Sequence, residues 1–168
     1  VMITAESPAR DDVRALLDEH LTDMFATSPA ESVHALDHAA LLAPSITFLT
    51  ARTADGELLG CGAISELAAT SDGVAGHGEL KSMRTAGTAR GRGVATAVLD
   101  RLLETATERG YGRVSLETGS EDYFAPARRL YARRGFVECG PFAGYTADPF
   151  SVFMTLDLPA ATPCTAPH

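Results

Sequence analysis

The 168-residue chain has only three cysteines, Cys61, Cys139 and Cys164, far apart and with no CxxC or CxxH spacing. An odd, scattered set of this kind argues against a disulfide framework or a zinc knuckle and fits free thiols in a reducing compartment. Long hydrophobic runs are missing too. The longest apolar stretches are a handful of residues, such as 39–43, where a membrane-spanning helix needs about 20. The opening residues, Val-Met-Ile-Thr-Ala-Glu, lack the basic start and apolar stretch of a secretory leader. The expectation is therefore a cytoplasmic protein with no membrane partner. Basic charge is scarce, and the formal net charge is −8. Affinity for nucleic acid comes largely from Lys and Arg neutralising phosphates, so no nucleic-acid partner is expected. No metal is indicated either.

What the chain does have is apolar material for one packed domain. Hydrophobic residues make up 45%, and the length suffices to bury a core without staples. A single domain is expected over residues 1–158, with a Pro/Ala/Thr-rich tail, 159–168, expected to be disordered. Charge is unevenly placed. Residues 1–80 carry 3 basic and 13 acidic side chains, and residues 81–134 carry 11 basic and 6 acidic. One local basic segment in an acidic protein suits a small, multiply charged anion. Solvated helix faces are the plainer reading.

Periodicity supplies the order of elements. Residues 2–5 fit a short strand. Ser7-Pro8 fits a helix start, and Val13, Leu16, Leu17, Leu21 and Met24 follow at helical spacing until Ser28-Pro29 interrupts. Residues 32–42 read as a second helical stretch. Strands follow at 46–51, 58–67 and about 79–85, the first two joined across Asp55-Gly56. Val94, Val98, Leu99, Leu102, Leu103 and Ala106 make the apolar stripe of a helix that Gly110 stops. A strand at 113–117, a helix at 126–134 and strands at 136–139 and 151–158 complete the chain. Three consecutive strands, then strand–helix alternation, imply a mixed α/β sheet with helices on both faces.

The chain has four GxG triplets, so a triplet alone says little. The Rossmann pattern GxGxxG fails because Thr96 stands where the third glycine belongs, and the P-loop pattern GxxxxGK[ST] is absent. The context of Gly91-Arg92-Gly93 is different from the other triplets. A strand ends before it and an amphipathic helix begins directly after. Such a turn presents unpaired amides at the positive end of the helix dipole. Glycine lets the backbone approach an anion closely, and Arg90 and Arg92 add charge. These residues fit a phosphate seat, and they also fit an ordinary strand–helix turn.

Residues Arg90-Gly91-Arg92-Gly93-Val94-Ala95 resemble the R/Q-x-x-G-x-G/A signature of the GNAT (Gcn5-related N-acetyltransferase) acyltransferases. Leu130-Tyr131-Ala132-Arg133-Arg134-Gly135-Phe136 resembles the family's second landmark, L-Y-x-x-x-G-F, at its usual distance of about 40 residues from the first. The element order agrees over residues 2–158. Several stretches, among them Glu79-Leu80-Lys81-Ser82-Met83-Arg84-Thr85 and Leu116-Glu117-Thr118-Gly119, resemble the narrower YsnE-type subgroup of bacterial members.

The resemblance implies a central, mostly antiparallel mixed sheet of six to seven strands with a splayed parallel pair, here about 79–85 and 113–117. Acetyl-CoA would lie between those two strands as cosubstrate. Its pyrophosphate would rest on the loop Arg90, Gly91, Arg92, Gly93, Val94, Ala95 and Thr96. Its pantetheine arm would pair with the backbone of Met83, Arg84 and Thr85. Tyr131 matches the family's thiol-proton donor, with plain packing as its alternative role. Glu79 matches the strand glutamate used as a general base, against a paired strand carboxylate or proton loss through water. Glu31 and His34, at i and i+3 on the second helical stretch, and Glu117, Phe142 and Tyr145 are candidates for the acceptor side. Where many members carry an Asn seven residues before the Tyr, this chain has Phe124, which leaves the arm's contacts with that helix unassigned. The implied function is N-acetyl transfer to a primary amine of a small molecule, amino acid or peptide by direct attack on the thioester. A protein acceptor and a non-catalytic acyl-CoA sensor are the alternatives. The final strands of this fold often support a homodimer.

Overall fold

A computed structural model of the chain describes residues 1–33, 38–68 and 72–159. Seven strands form one sheet: β1 (Met2–Ala5), β2 (Ile46–Arg52), β3 (Leu58–Leu67), β4 (His77–Thr85), β5 (Arg113–Gly119), β6 (Val137–Cys139) and β7 (Ser151–Asp157). Their spatial order is β1-β2-β3-β4-β5-β7-β6. All neighbours run antiparallel except β4 and β5. The helices are α1 (Asp11–Thr27), α2 (His38–Leu41), α3 (Val94–Glu108) and α4 (Ala125–Arg133). This is the mixed sheet with a parallel pair that the sequence led us to expect.

Alternation along the strands sorts their side chains to two faces. Val13, Leu16 and Leu17 of α1 pack on Phe48, Cys61 and Ala63. On the opposite face, Val94, Val98, Leu99, Leu102 and Leu103 of α3 pack on Leu59, Ile64, Leu80 and Val114, together with Tyr131 of α4. Burying side chains of this size stabilises the fold by about 1.5–3 kcal/mol each. Leu80 therefore faces α3, and its neighbours Glu79 and Lys81 face the α1 side.

The parallel pair is short. Only His77–Arg113, Gly78–Val114 and Glu79–Ser115 are in register, and beyond them β4 and β5 part. A bulge in β4 accompanies the parting. Cys61 pairs with Arg84 but Ala63 pairs with Lys81, so Ser82 and Met83 together oppose Gly62. Ser82 takes a left-handed conformation, φ 54°, at a cost of about 1 kcal/mol. The Cys61 thiol donates to its carbonyl at 3.4 Å. A bulge bends its strand and increases local twist, which turns β4 away from β5 and opens a wedge.

Two local expectations are corrected. Helix α1 begins at Asp11, three residues after Pro8, with Arg10 as its N-cap. Ser7 caps a preceding turn instead, its hydroxyl accepting from the Ala9 amide at 3.1 Å. The stretch 32–42 is not one helix. A 3-10 turn spans Ala30–Ser32 and ends because Val33 is extended, φ −89° and ψ 117°, and among the described residues the next helix is His38–Leu41. The Ser32 hydroxyl donates to Asp148 Oδ2 at 2.6 Å, which pins this turn to the β6–β7 loop.

Phe124 has a packing role. A Cβ on Gly119 would fall inside its ring. Gly119→Ala is expected to cost about 1–3 kcal/mol, because overpacking forces the ring or backbone aside. The check is the thermal midpoint, expected to fall by about 2–12 °C.

Candidate active site

A cleft of about 720 Å³ occupies the wedge. Its walls include Glu79, Met83, Arg84 and Thr85 of β4, Glu117 of β5, and Tyr131 of α4. The turn before α3 contributes Arg90, Gly91, Gly93, Val94, Ala95 and Thr96. Most of the expected donor-side residues thus converge on one space. Arg92 does not: it is exposed and lies off the cleft wall.

The turn is shaped by its glycines. Gly91 and Gly93 have φ of 74° and 77°, a conformation glycine adopts without penalty. A Cβ on either would meet nothing within 4 Å, so the turn's outer surface is bare. Gly93 is the N-cap of α3 and offers no side-chain cap. The first intrahelical donor is Ala97, whose amide reaches the Gly93 carbonyl at 3.1 Å. The amides of Val94, Ala95 and Thr96 precede it and have no intrahelical acceptor. They are oriented for an anion, with the helix dipole behind them.

Tyr131 sits on the opposite wall, 6% exposed. Its ring meets Phe136 edge-on, with centroids 5.7 Å apart. Burial pushes its phenol well above the ordinary value, so the hydroxyl is protonated throughout the neutral range. It has no hydrogen-bond partner among the described residues.

The α1 face of the wedge holds a polar cluster. Glu79 is 5% exposed. Its Oε2 accepts from the Tyr145 phenol at 2.5 Å and lies 3.2 Å from Lys81 Nζ. Lys81 Nζ also donates to the Tyr145 oxygen at 2.6 Å and stands 5.3 Å over its ring centroid. Phe142 packs edge to face on Tyr145 and on Phe153, and Tyr145 meets Phe153 at a tilt of 53°. Phe142 and Tyr145 accordingly back the cleft residues rather than line the cleft. Glu117 is on the same face as Glu79. Burial, chiefly, pushes its carboxyl up to about 7; Glu79 and Asp148 add to the rise, and the Ser151 hydroxyl and Lys81 oppose it.

Of the other acceptor candidates, Glu31 is exposed in the 3-10 turn and does not line the cleft. His34 lies outside the described residues. Sequence reasoning missed His20 and Met24, which line the cleft from α1. Burial and the Arg84 guanidinium push His20 down to about 4, so it is neutral. Its signal was its place on the apolar stripe, three residues after Leu17. Arg84 is tied to Asp23 at 2.7 Å and to the Tyr123 hydroxyl at 3.2 Å, which joins β4, α1 and the segment before α4 along one rim.

The profile of the Acetyltransferase (GNAT) family matches residues 13–136. The chain belongs to the GNAT family. It is 51% identical over 146 residues to the uncharacterized N-acetyltransferase YsnE of Bacillus subtilis (strain 168), covering 87% of this chain and 92% of that protein. It is 41% identical over 161 residues to a protein of Azospirillum brasilense named IAA acetyltransferase, covering 94% and 98%. A solved Klebsiella pneumoniae structure, a candidate acyl-CoA N-acyltransferase, superposes with a TM-score of 0.72 at 29% identity, covering 94% of this chain and 97% of that one. This GNAT protein is an acyltransferase of the YsnE type that takes an acyl-CoA and an acceptor. Among the described residues no group of His, Cys, Asp and Glu could hold a metal ion, and no helix is long and apolar enough to cross a membrane.

Proposed function

We propose that the protein transfers the acetyl group of acetyl-CoA to a primary amine of a small molecule, amino acid or peptide. The observation that carries this reading is the wedge itself. One continuous cleft joins a bare, left-handed glycine turn to a protonated phenol and to two carboxylates. The amides of residues 91–96 and the Arg90 side chain fit a pyrophosphate. Among the described residues the backbone of Met83, Arg84 and Thr85 has no partner on the β5 side, and it fits an extended amide-bearing arm.

In this scheme the acceptor nitrogen attacks the thioester carbonyl directly. An N–C bond forms, the C–S bond breaks, and positioning supplies much of the acceleration. Tyr131 gives its proton to the departing sulfur, and a carboxylate on the α1 face takes the proton of the acceptor ammonium. An intact glycine turn with Tyr131 in the wall favours catalysis over a sensor role. The name of the Azospirillum brasilense relative favours acetyl as the transferred group.

Calorimetric titration with acetyl-CoA tests the reading, followed by free-thiol release with a panel of amines. One-to-one binding with amine-dependent thiol release is expected. No binding of acetyl-CoA or of longer acyl-CoAs overturns it.

A further inference from the structure

The resemblance singles out Glu79 as the base, yet the structure gives Glu79 other work. Its Oε2 is occupied by a phenol at 2.5 Å and an ammonium at 3.2 Å. That oxygen already has two donors on it, so an acceptor ammonium would have to displace one of them, which is costly. The cluster acts as a clamp: it joins β4 to the β6–β7 loop through side chains 66 residues apart.

Glu117 differs in position and company. The β4–β5 ladder ends at Glu79–Ser115, and Glu117 is the next residue on the α1 face beyond that end. It therefore stands where the strands have already separated, in the wall of the cleft. No ion pair is formed to it among the described residues. Among the described residues, the charged and titratable groups around it are Glu79 and Lys81 of β4, Asp148 of the β6–β7 loop and, more remotely, Tyr145, with the Ser151 hydroxyl of β7. From the other side the cleft is lined by neutral His20 of α1 and the phenol of Tyr131.

We infer that Glu117, not Glu79, is the catalytic base that takes the proton from the acceptor ammonium, and that Glu79, Tyr145 and Lys81 position the loop beside it. The inference rests on the acetyl-transfer reading above. The proton balance is complete: the ammonium proton passes to the Glu117 carboxylate, the amine forms the N–C bond, and the sulfur leaves with the Tyr131 proton. Glu117 then releases its proton to solvent and the Tyr131 phenolate recovers one. A carboxyl that titrates near 7 is suited to this task, because a base is most effective when its pKa lies near the working pH. Burial chiefly holds it there, and Glu79 and Asp148 add to the rise, so the clamp also bears on basicity.

The test compares wild type with Glu117→Gln and Glu79→Gln. Each is titrated with acetyl-CoA and then assayed for thiol release with alkylamines and with hydroxylamine, which is neutral at pH 7 and needs no base. Glu117→Gln is expected to bind acetyl-CoA as wild type does and to lose about 100-fold in alkylamine turnover. Its hydroxylamine turnover should fall far less, and the acidic limb near pH 7 should disappear. Glu79→Gln should retain that limb, displaced in pH, since a neighbouring charge is lost. Equal losses with both nucleophiles, or an acidic limb that survives Glu117→Gln, overturn the inference. If no alkylamine is turned over, the same comparison is made on hydrolysis of acetyl-CoA, where unchanged pH dependence in Glu117→Gln also overturns it. Failure of wild type to bind acetyl-CoA is a different result, and it removes the acetyl-transfer reading itself.

Discussion

Gly93→Asp is expected to weaken acetyl-CoA binding by about 100-fold or more in calorimetric titration, close to 2.7 kcal/mol. The substitution places a carboxylate at the N-cap of α3, at the turn assigned to the pyrophosphate. Aspartate tolerates the left-handed region better than most residues, and a Cβ there meets no neighbour within 4 Å. The left-handed backbone, φ 77°, strains either an Asp or an Asn by about 1 kcal/mol, so strain is common to both variants. Gly93→Asn, nearly the same shape without the charge, should lose about tenfold or less, and the gap between the two variants measures the electrostatic part. Thermal stability should fall slightly and about equally in the two variants, because a left-handed non-glycine residue costs about 1 kcal/mol and an Asp or Asn gains only about a few tenths over Gly at an N-cap. Equal melting with unequal binding is the signature of an anion seat. Unchanged affinity in Gly93→Asp would remove the turn from the donor site.

Tyr131→Phe is expected to lower turnover by about 100-fold while the affinity for acetyl-CoA stays as it is. The ring's contact with Phe136 survives the change, and the lost hydroxyl has no partner among the described residues to leave stranded, so the fold should be untouched. The phenol's pKa is raised by burial, so deprotonation of Tyr131 contributes no basic limb within the neutral range, and removing it should leave the pH optimum in place. Acetyl thioesters of more acidic thiols need less help in leaving and should be much less sensitive to the substitution. If all thioesters suffer equally, or if affinity falls in step with turnover, Tyr131 is a packing residue.

The parts of this site that the sequence made legible are those fixed locally. Gly91 and Gly93 lie next to the helix whose amides they expose, and the apolar stripe of α3 announced that helix. Strand alternation alone places Glu79 and Glu117 on a common face once β4 and β5 are neighbours. The parts that were hidden depend on contacts distant along the chain. Nothing near Tyr145 indicates that its phenol meets Glu79, because the β6–β7 loop has no periodicity to read. The second helical stretch failed for a related reason. Its composition suits a helix, but the tie between Ser32 and Asp148 holds a turn there. Phe124 looked like a departure from the family pattern, and only the structure shows its ring filling the space over Gly119. His20 was visible as one polar residue on an apolar stripe, a signal that became useful only when the cleft had been placed beneath it.

The brevity of the parallel ladder has a consequence for dynamics. Three registered pairs hold β1–β4 to β5–β7, and from Leu80 to Thr85 the β5-facing backbone of β4 is a strand edge in the middle of a sheet. An extended ligand arm lying along that edge would stand in for the absent rungs. Hydrogen exchange should read this directly: amides of β4 beyond the bulge should exchange quickly in the free protein and slow when acetyl-CoA is added, while the β2–β3 ladder scarcely changes. Acetyl-CoA would then be, in mechanical terms, an eighth strand that the two halves of the sheet share for the length of one turnover.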